Sequence, residues 1–228
     1  MGNGEWEKCF LLSKHNKLII IISAGILLLL SSCLGVSADI SIRANGSGRI
    51  AMEYRVSQML ESAGRLDGNE RWPAIPVGRG DFERGIARIP DLRLVSFSAK
   101  DAPAVSGGRD LVTKAVLEFN NTGALLAFLD STGAGASFVS DNGNNLLRLK
   151  LKGVDGNPNG DLLALMREIS GGYDLRISLS APKNAGLTAV PASLPSARMV
   201  SSGKKVSFTA GMGDILSLDG GLDLEISW

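Results

Sequence analysis

Residues 38–57, ADISIRANGSGRIAMEYRVS, decide the fold of this chain. Ile40, Ile42 and Ala44 alternate with polar residues, and Ile50, Met52, Tyr54 and Val56 alternate in turn. Between the two runs stands Asn45-Gly46-Ser47-Gly48, rich in the residues that tight turns need. Two period-two runs joined by such a turn predict a β-hairpin with one apolar face.

Downstream, the same pattern recurs. Leu92 to Ala99 and Val112 to Phe119 read as strands around a turn region containing Pro103, Gly107 and Gly108. Ala136 to Ser140 and Asn145 to Lys152 form a second hairpin across Asp141-Asn142-Gly143-Asn144. Tyr173, Leu175, Ile177 and Leu179 alternate with polar residues. Val206, Phe208 and Ala210 start a further strand, and Leu222, Leu224, Ile226 and Trp228 form a last one paired within the sheet.

Helical spacing is short and scattered. Ser57 to Gly64 predicts a short helix, and Asp81 can cap another whose Phe82, Ile86 and Ile89 share a face. Asn121 or Thr122 starts a helix with Leu125, Leu126, Phe128 and Leu129 on its buried side, and residues 162–170 form one more. A short turn or helix covers Gly213 to Leu218. Residues 65–91 are a long irregular connection, and Pro182 to Ser202 read as a loop. Together these predict an α+β fold, an antiparallel β-sheet of hairpins with short helices packed on one face. No internal repeat or clean break divides residues 33–228, which read as a single α+β domain.

Upstream of the hairpin the chain changes character. Lys8, Lys14 and Lys17 make a positive flank before Leu18–Leu30, an apolar run of thirteen residues interrupted only by Ser23, Ala24 and Gly25. That run is shorter than the ~20 residues a membrane-spanning helix needs, so residues 1–32 read as an export signal. The junction Leu30-Ser31-Ser32-Cys33 resembles the lipobox of bacterial lipoproteins. The resemblance implies cleavage before Cys33 and acylation of its side chain, and hence an exported, envelope-located protein anchored to a membrane by lipid. Leu34 to Ala38 would then be the whole tether, at most ~17 Å when extended. A lipidated cysteine, an almost immediate strand, the Asn-Gly-Ser-Gly hairpin and a β-rich body also resemble the LppM-like lipoprotein domain and, in style, envelope lipoproteins of spirochaetes. The LppM-like resemblance implies binding of envelope lipid or glycolipid and brings no catalytic motif.

Composition excludes more than it assigns. Removing residues 1–32 from 228 leaves 196 residues that are formally neutral, since the signal carries the net charge of +1. A neutral balance gives no footprint for nucleic acid. Both His15 and Cys9 lie in the signal, so residues 33–228 lack histidine and any cysteine except Cys33. Ser-His-Asp, Cys-His and the usual zinc chemistries are thereby excluded from that region. Asp155-Gly156-Asn157-Pro158-Asn159-Gly160-Asp161 begins like a calcium loop, but Met166 stands where a bidentate Glu should close it. Carboxylates could hydrolyse glycosides, yet the acids are scattered along the chain. No cofactor, metal site or catalytic residue is therefore expected, and the protein reads as no enzyme. Arg79-Gly80-Asp81 matches an adhesion tripeptide, which three residues in a helix-capping position explain as well.

Arg148, Lys150 and Lys152 share one face of a strand whose other face is Leu147, Leu149 and Leu151. Three cations discourage edge pairing, and they are the candidate contacts for anionic lipid. The expected function is a non-catalytic lipid- or glycolipid-binding module, with an apolar cleft between the sheet and the Leu125/Leu129 helix. Its rival is an assembly factor docking an envelope protein through residues 65–91. A carboxylate-dependent hydrolase comes last.

Overall fold

The leading hairpin forms with β1 at Leu34–Ile42 and β2 at Gly48–Ser57, Ile40 standing opposite Ile50. The structure, a computed structural model, describes residues 34–57, 78–104, 108–131, 135–151, 170–190, 194–218 and 220–228. Strand β1 begins at Leu34, so Leu34 to Ala38 belong to the sheet itself and form no separate tether.

Among the described residues, eleven strands build two sheets. Strands β3 (Leu92–Pro103) and β4 (Arg109–Phe119) extend the hairpin on the β2 side, with a bulge between Leu94 and Ser96. On the β1 side stand β7 (Asp174–Ser180), β10 (Lys205–Gly211) and β9 (Arg198–Ser202). The first sheet therefore runs β3-β4-β2-β1-β7-β10-β9. The second runs β5 (Gly135–Asp141), β6 (Asn144–Leu151), β11 (Leu222–Ser227) and β8 (Gly186–Val190). Three helices complete the described residues: α1 (Arg79–Ile86), α2 (Thr122–Ser131) and α3 (Met212–Leu216).

The α+β class holds, with strands dominating, but a single antiparallel sheet does not. The first sheet is mixed, because β1 pairs in parallel with β7 while pairing antiparallel with β2. Period-two patterning fixes which face of a strand is apolar and says nothing about its neighbour across more than a hundred residues. The expected loop over 182–202 contains two strands, β8 and β9. Both are short edge strands: all five residues of β9 are exposed, so it carries no apolar alternation to read, and β8 offers only Leu187 and Ala189 toward the core.

One apolar core joins both sheets. In the first, Ile40, Ile50 and Leu117 lie in register across β1, β2 and β4, and Leu179 and Val206 continue the row on β7 and β10. From the second come Leu147, Leu149, Leu222, Leu224 and Ile226, all buried. Helix α2 adds Leu125, Phe128 and Leu129. It starts where Asn121 Oδ1 accepts the Ala124 backbone N–H at 2.9 Å, an N-cap bond. A smaller cluster gathers Phe82 of α1 against Tyr54, Val56 and Ala115, with Phe97 beside it. Helix α1 includes Arg79, Gly80 and Asp81 in its first turn, so Asp81 lies inside the helix and not at its cap. Arg79 Nε donates to Glu83 Oε1 at 2.7 Å, which makes the tripeptide part of a helix and not an extended adhesion loop.

Candidate functional site

The alternation that sends Ile40 and Ile50 inward sends Gly35, Ser37, Glu53 and Arg55 to the opposite face of the first sheet. On the other side of β1, the parallel pairing sets Ser37 against Arg176 and brings Asp174, one position before Leu175, to the level of Gly35. Since β1 lies between β2 and β7, two rows result: Arg55–Gly35–Asp174 and Glu53–Ser37–Arg176. The middle residue of each row is small and the outer residues are long and charged. A sheet so decorated must have a hollow along its central strand. These residues, with Gly172 and Tyr173, line a surface cavity of about 170 Å³.

The ring of Tyr173 crosses β1 at Gly35. A Cβ added at Gly35 would stand 3.3 Å from Tyr173 Cδ1, tighter than ordinary contact, so the missing side chain gives the ring its place. From there Tyr173 Oη donates to Asp110 Oδ1 at 2.8 Å. Asp110, on β4, is 0% exposed. Its other oxygen, Oδ2, accepts no hydrogen bond and lies 3.9 Å from Arg55 Nη1. A buried carboxylate is thus held by one phenol and by one guanidinium that reaches it from the cavity wall.

Arg55 also meets Glu53, Nε to Oε1, at 3.4 Å, and Lys114 Nζ donates to Glu53 Oε2 at 2.8 Å. The Lys114 hydrogen bond and charge, with the Arg55 charge, hold the Glu53 carboxyl below its ordinary value against the opposing effect of partial burial. General acids are tuned the other way. The β2 wall is therefore internally paired. The β7 wall differs: the side chains of Asp174 and Arg176 make no hydrogen bond or ion pair among the described residues.

The lipid contacts expected from the sequence lie in the second sheet. Arg148 Nε donates to Glu225 Oε1 at 2.7 Å across β6 and β11, and Lys150 faces Asp223 in the same register. Lys152 lies outside the described residues, as do Cys33, the 57–64 helix beyond Ser57, residues 65–77 of the long connection, the 155–161 loop and the 162–169 segment. Leu125 and Leu129, expected to border an apolar cleft, are buried in the main core instead. Among the described residues no group of acids, histidines and cysteines is gathered to hold a metal. No helix among them is long and apolar enough to cross a membrane. Sequence reasoning passed over the cavity residues because the polar side of a half-buried strand reads as solvated whatever it lines.

Fold and site together define a strand-rich α+β domain with a small charged cavity on the outer face of a mixed sheet. No family model matches the chain, and no curated protein matches it. Among solved structures it is similar to the NMR structure of the folded domain of the LppM protein of Mycobacterium tuberculosis, with a TM-score of 0.44 and 11% identity. That likeness spans 86% of this chain and 88% of the other, and it is too distant to carry a function across.

Proposed function

We propose that this protein is an exported envelope lipoprotein, anchored through an acylated Cys33, whose domain binds lipid or glycolipid without catalysing a reaction. One observation carries the reading: the lipobox-like Leu30-Ser31-Ser32-Cys33 runs directly into the fold, with β1 beginning at Leu34. An acyl chain on Cys33 would keep the Gly35 and Ser37 floor of the cavity within a few residues of the bilayer, and two or more chains would hold it there stably. Arg148 and Lys150 contribute less than the sequence suggests, since their strand face is matched by Glu225 and Asp223. Absence of histidine from residues 33–228 and the lowered Glu53 carboxyl both favour binding over acid–base chemistry.

Two measurements test this. Cys33→Ser should abolish labelling by a fatty-acid analogue and leave an unprocessed precursor, and surviving label would overturn the anchor. Organic extraction of the purified protein, followed by mass spectrometry, should release a reproducible lipid beyond the acyl chains on Cys33. Its absence would favour docking of a protein partner.

A further inference from the structure

The cavity carries alternating charge at its four corners: Arg55 and Glu53 on β2, Asp174 and Arg176 on β7. Each row places opposite signs across β1, about two strand spacings or ~10 Å apart. Such an arrangement has almost no net charge and a strong local field gradient. It attracts neither a plain anion nor a plain cation, because a carboxylate or a guanidinium stands beside every position. A ligand carrying both signs close together fits it.

The corners are not equivalent. Glu53 and Arg55 are committed to each other, to Lys114 and to Asp110. Asp174 and Arg176 have no such partners among the described residues. They sit two apart on one strand, hence on one face and about 6.6 Å apart along it. A volume of about 170 Å³ admits a headgroup and not a whole lipid, whose pockets are larger.

We propose that this cavity seats the phosphoethanolamine headgroup of a zwitterionic phospholipid, with the phosphate on Arg176 and the ammonium on Asp174. The bilayer is the source because Gly35 in the cavity floor lies two residues after Cys33. The proposal rests on the lipid-anchor reading above. Arg176 offers the phosphate a fork of N–H donors, and Asp174 accepts N–H bonds from the primary ammonium.

The test uses the processed protein purified in mild detergent, whose intact mass first reports whether Cys33 is acylated. Unacylated protein fails the anchor reading, and the arms that follow fail this inference alone. Native mass spectrometry then measures retention of phosphatidylethanolamine, phosphatidylglycerol and phosphatidylcholine, each added separately. One phosphatidylethanolamine should be held about tenfold more tightly than phosphatidylglycerol, which lacks the ammonium. Phosphatidylcholine should be weaker too, because its quaternary ammonium has no N–H to give Asp174. Asp174→Asn and Arg176→Gln should each lower retention about tenfold without moving the melting temperature, and Arg176→Lys should restore part of it. Equal retention of phosphatidylglycerol, or retention indifferent to both substitutions, overturns the proposal. Binding of water-soluble glycerophosphoethanolamine as tight as that of the lipid overturns the bilayer as the source.

Discussion

Glu53 and Tyr173 carry the two contacts that shape the cavity wall, and each makes a separate prediction. The Lys114 hydrogen bond, aided by Arg55, lowers the Glu53 carboxyl from its ordinary 4.5. A carboxylate lowered on folding contributes stability that is fully present above its unfolded pKa and is lost as the pH falls through the folded value. Lys114 is well exposed, so the pair is worth only about 0.2–1 kcal/mol. Glu53→Gln should therefore lower the melting temperature by about 1–3 °C at neutral pH and leave it unchanged in strong acid, where both side chains are uncharged. A penalty of the same size at both pH values would show that packing, not charge, is lost. Tyr173→Phe removes the hydrogen bond to Asp110 Oδ1 and leaves that buried carboxylate with the 3.9 Å approach of Arg55. The expected cost is about 1–3 kcal/mol, read as a lower urea midpoint with an unchanged slope. An unchanged midpoint would mean the phenol does not support Asp110. Neither contact was legible in the sequence: Tyr173 and Asp110 are 63 residues apart, and only the strand order brings them together.

At the scale of elements, the legible parts were those whose pattern is local. The Asn45–Gly48 hairpin forms as expected, and so does the Asn142-Gly143 turn, where φ values of 48° and 80° suit the primed turns that favour Asn-Gly. Helix α2 buries Leu125, Phe128 and Leu129 as its spacing predicts, while Leu126 is only half-buried and Ala124 takes the remaining buried place. The misreadings share one cause. Edge strands β8 and β9 and the parallel β1–β7 ladder are specified by partners distant in sequence, which alternation along one strand cannot name. The same division predicts which substitutions matter. Leu224, fully buried on β11 between β6 and β8, should cost about 2–5 kcal/mol as Leu224→Ala. Arg148→Ala, on the outer face of the neighbouring strand, removes only a half-exposed ion pair and should cost less than about 1 kcal/mol. At the start of β2, a Cβ on Gly48 would stand 2.0 Å from Ser41 O and 2.4 Å from Phe119 Cζ. Gly48→Ala should accordingly destabilise by about 1–3 kcal/mol through overpacking, measured by chemical unfolding. A neutral Gly48→Ala would show that β1 and β4 can yield there.

For the whole molecule, the consequence of an acylated Cys33 is a fixed orientation. Strand β1 runs nine residues from Leu34 to Ile42, about 30 Å of extended chain. Its first residue follows the anchor directly, so the Asn45–Gly48 turn lies at the far end of the strand. Antiparallel pairing returns β2 to the anchor end at Ser57, where Asp110 on β4 stands opposite it. Strand β3 ends at the same side, with Lys100 opposite Val112 and Pro103 opposite Arg109. Parallel pairing places the start of β7, with Asp174 and the cavity, there as well. An upright domain therefore presents the cavity and the exposed Lys100 to the headgroups and holds Ser47 in water. Nitroxide labels at Lys100→Cys and Ser47→Cys of the acylated protein in vesicles, with a lipid-soluble relaxing agent, read this directly. Strong relaxation at position 100 with little at position 47 is the expected outcome. Equal relaxation at both would mean that the sheet lies flat on the bilayer. In that pose the Arg49, Glu118 and Arg93 row of the outer face would meet lipid along with the cavity. Relaxation at position 47 alone would mean that the turn end of β1 faces the bilayer and would remove the geometric basis for a headgroup site at Gly35.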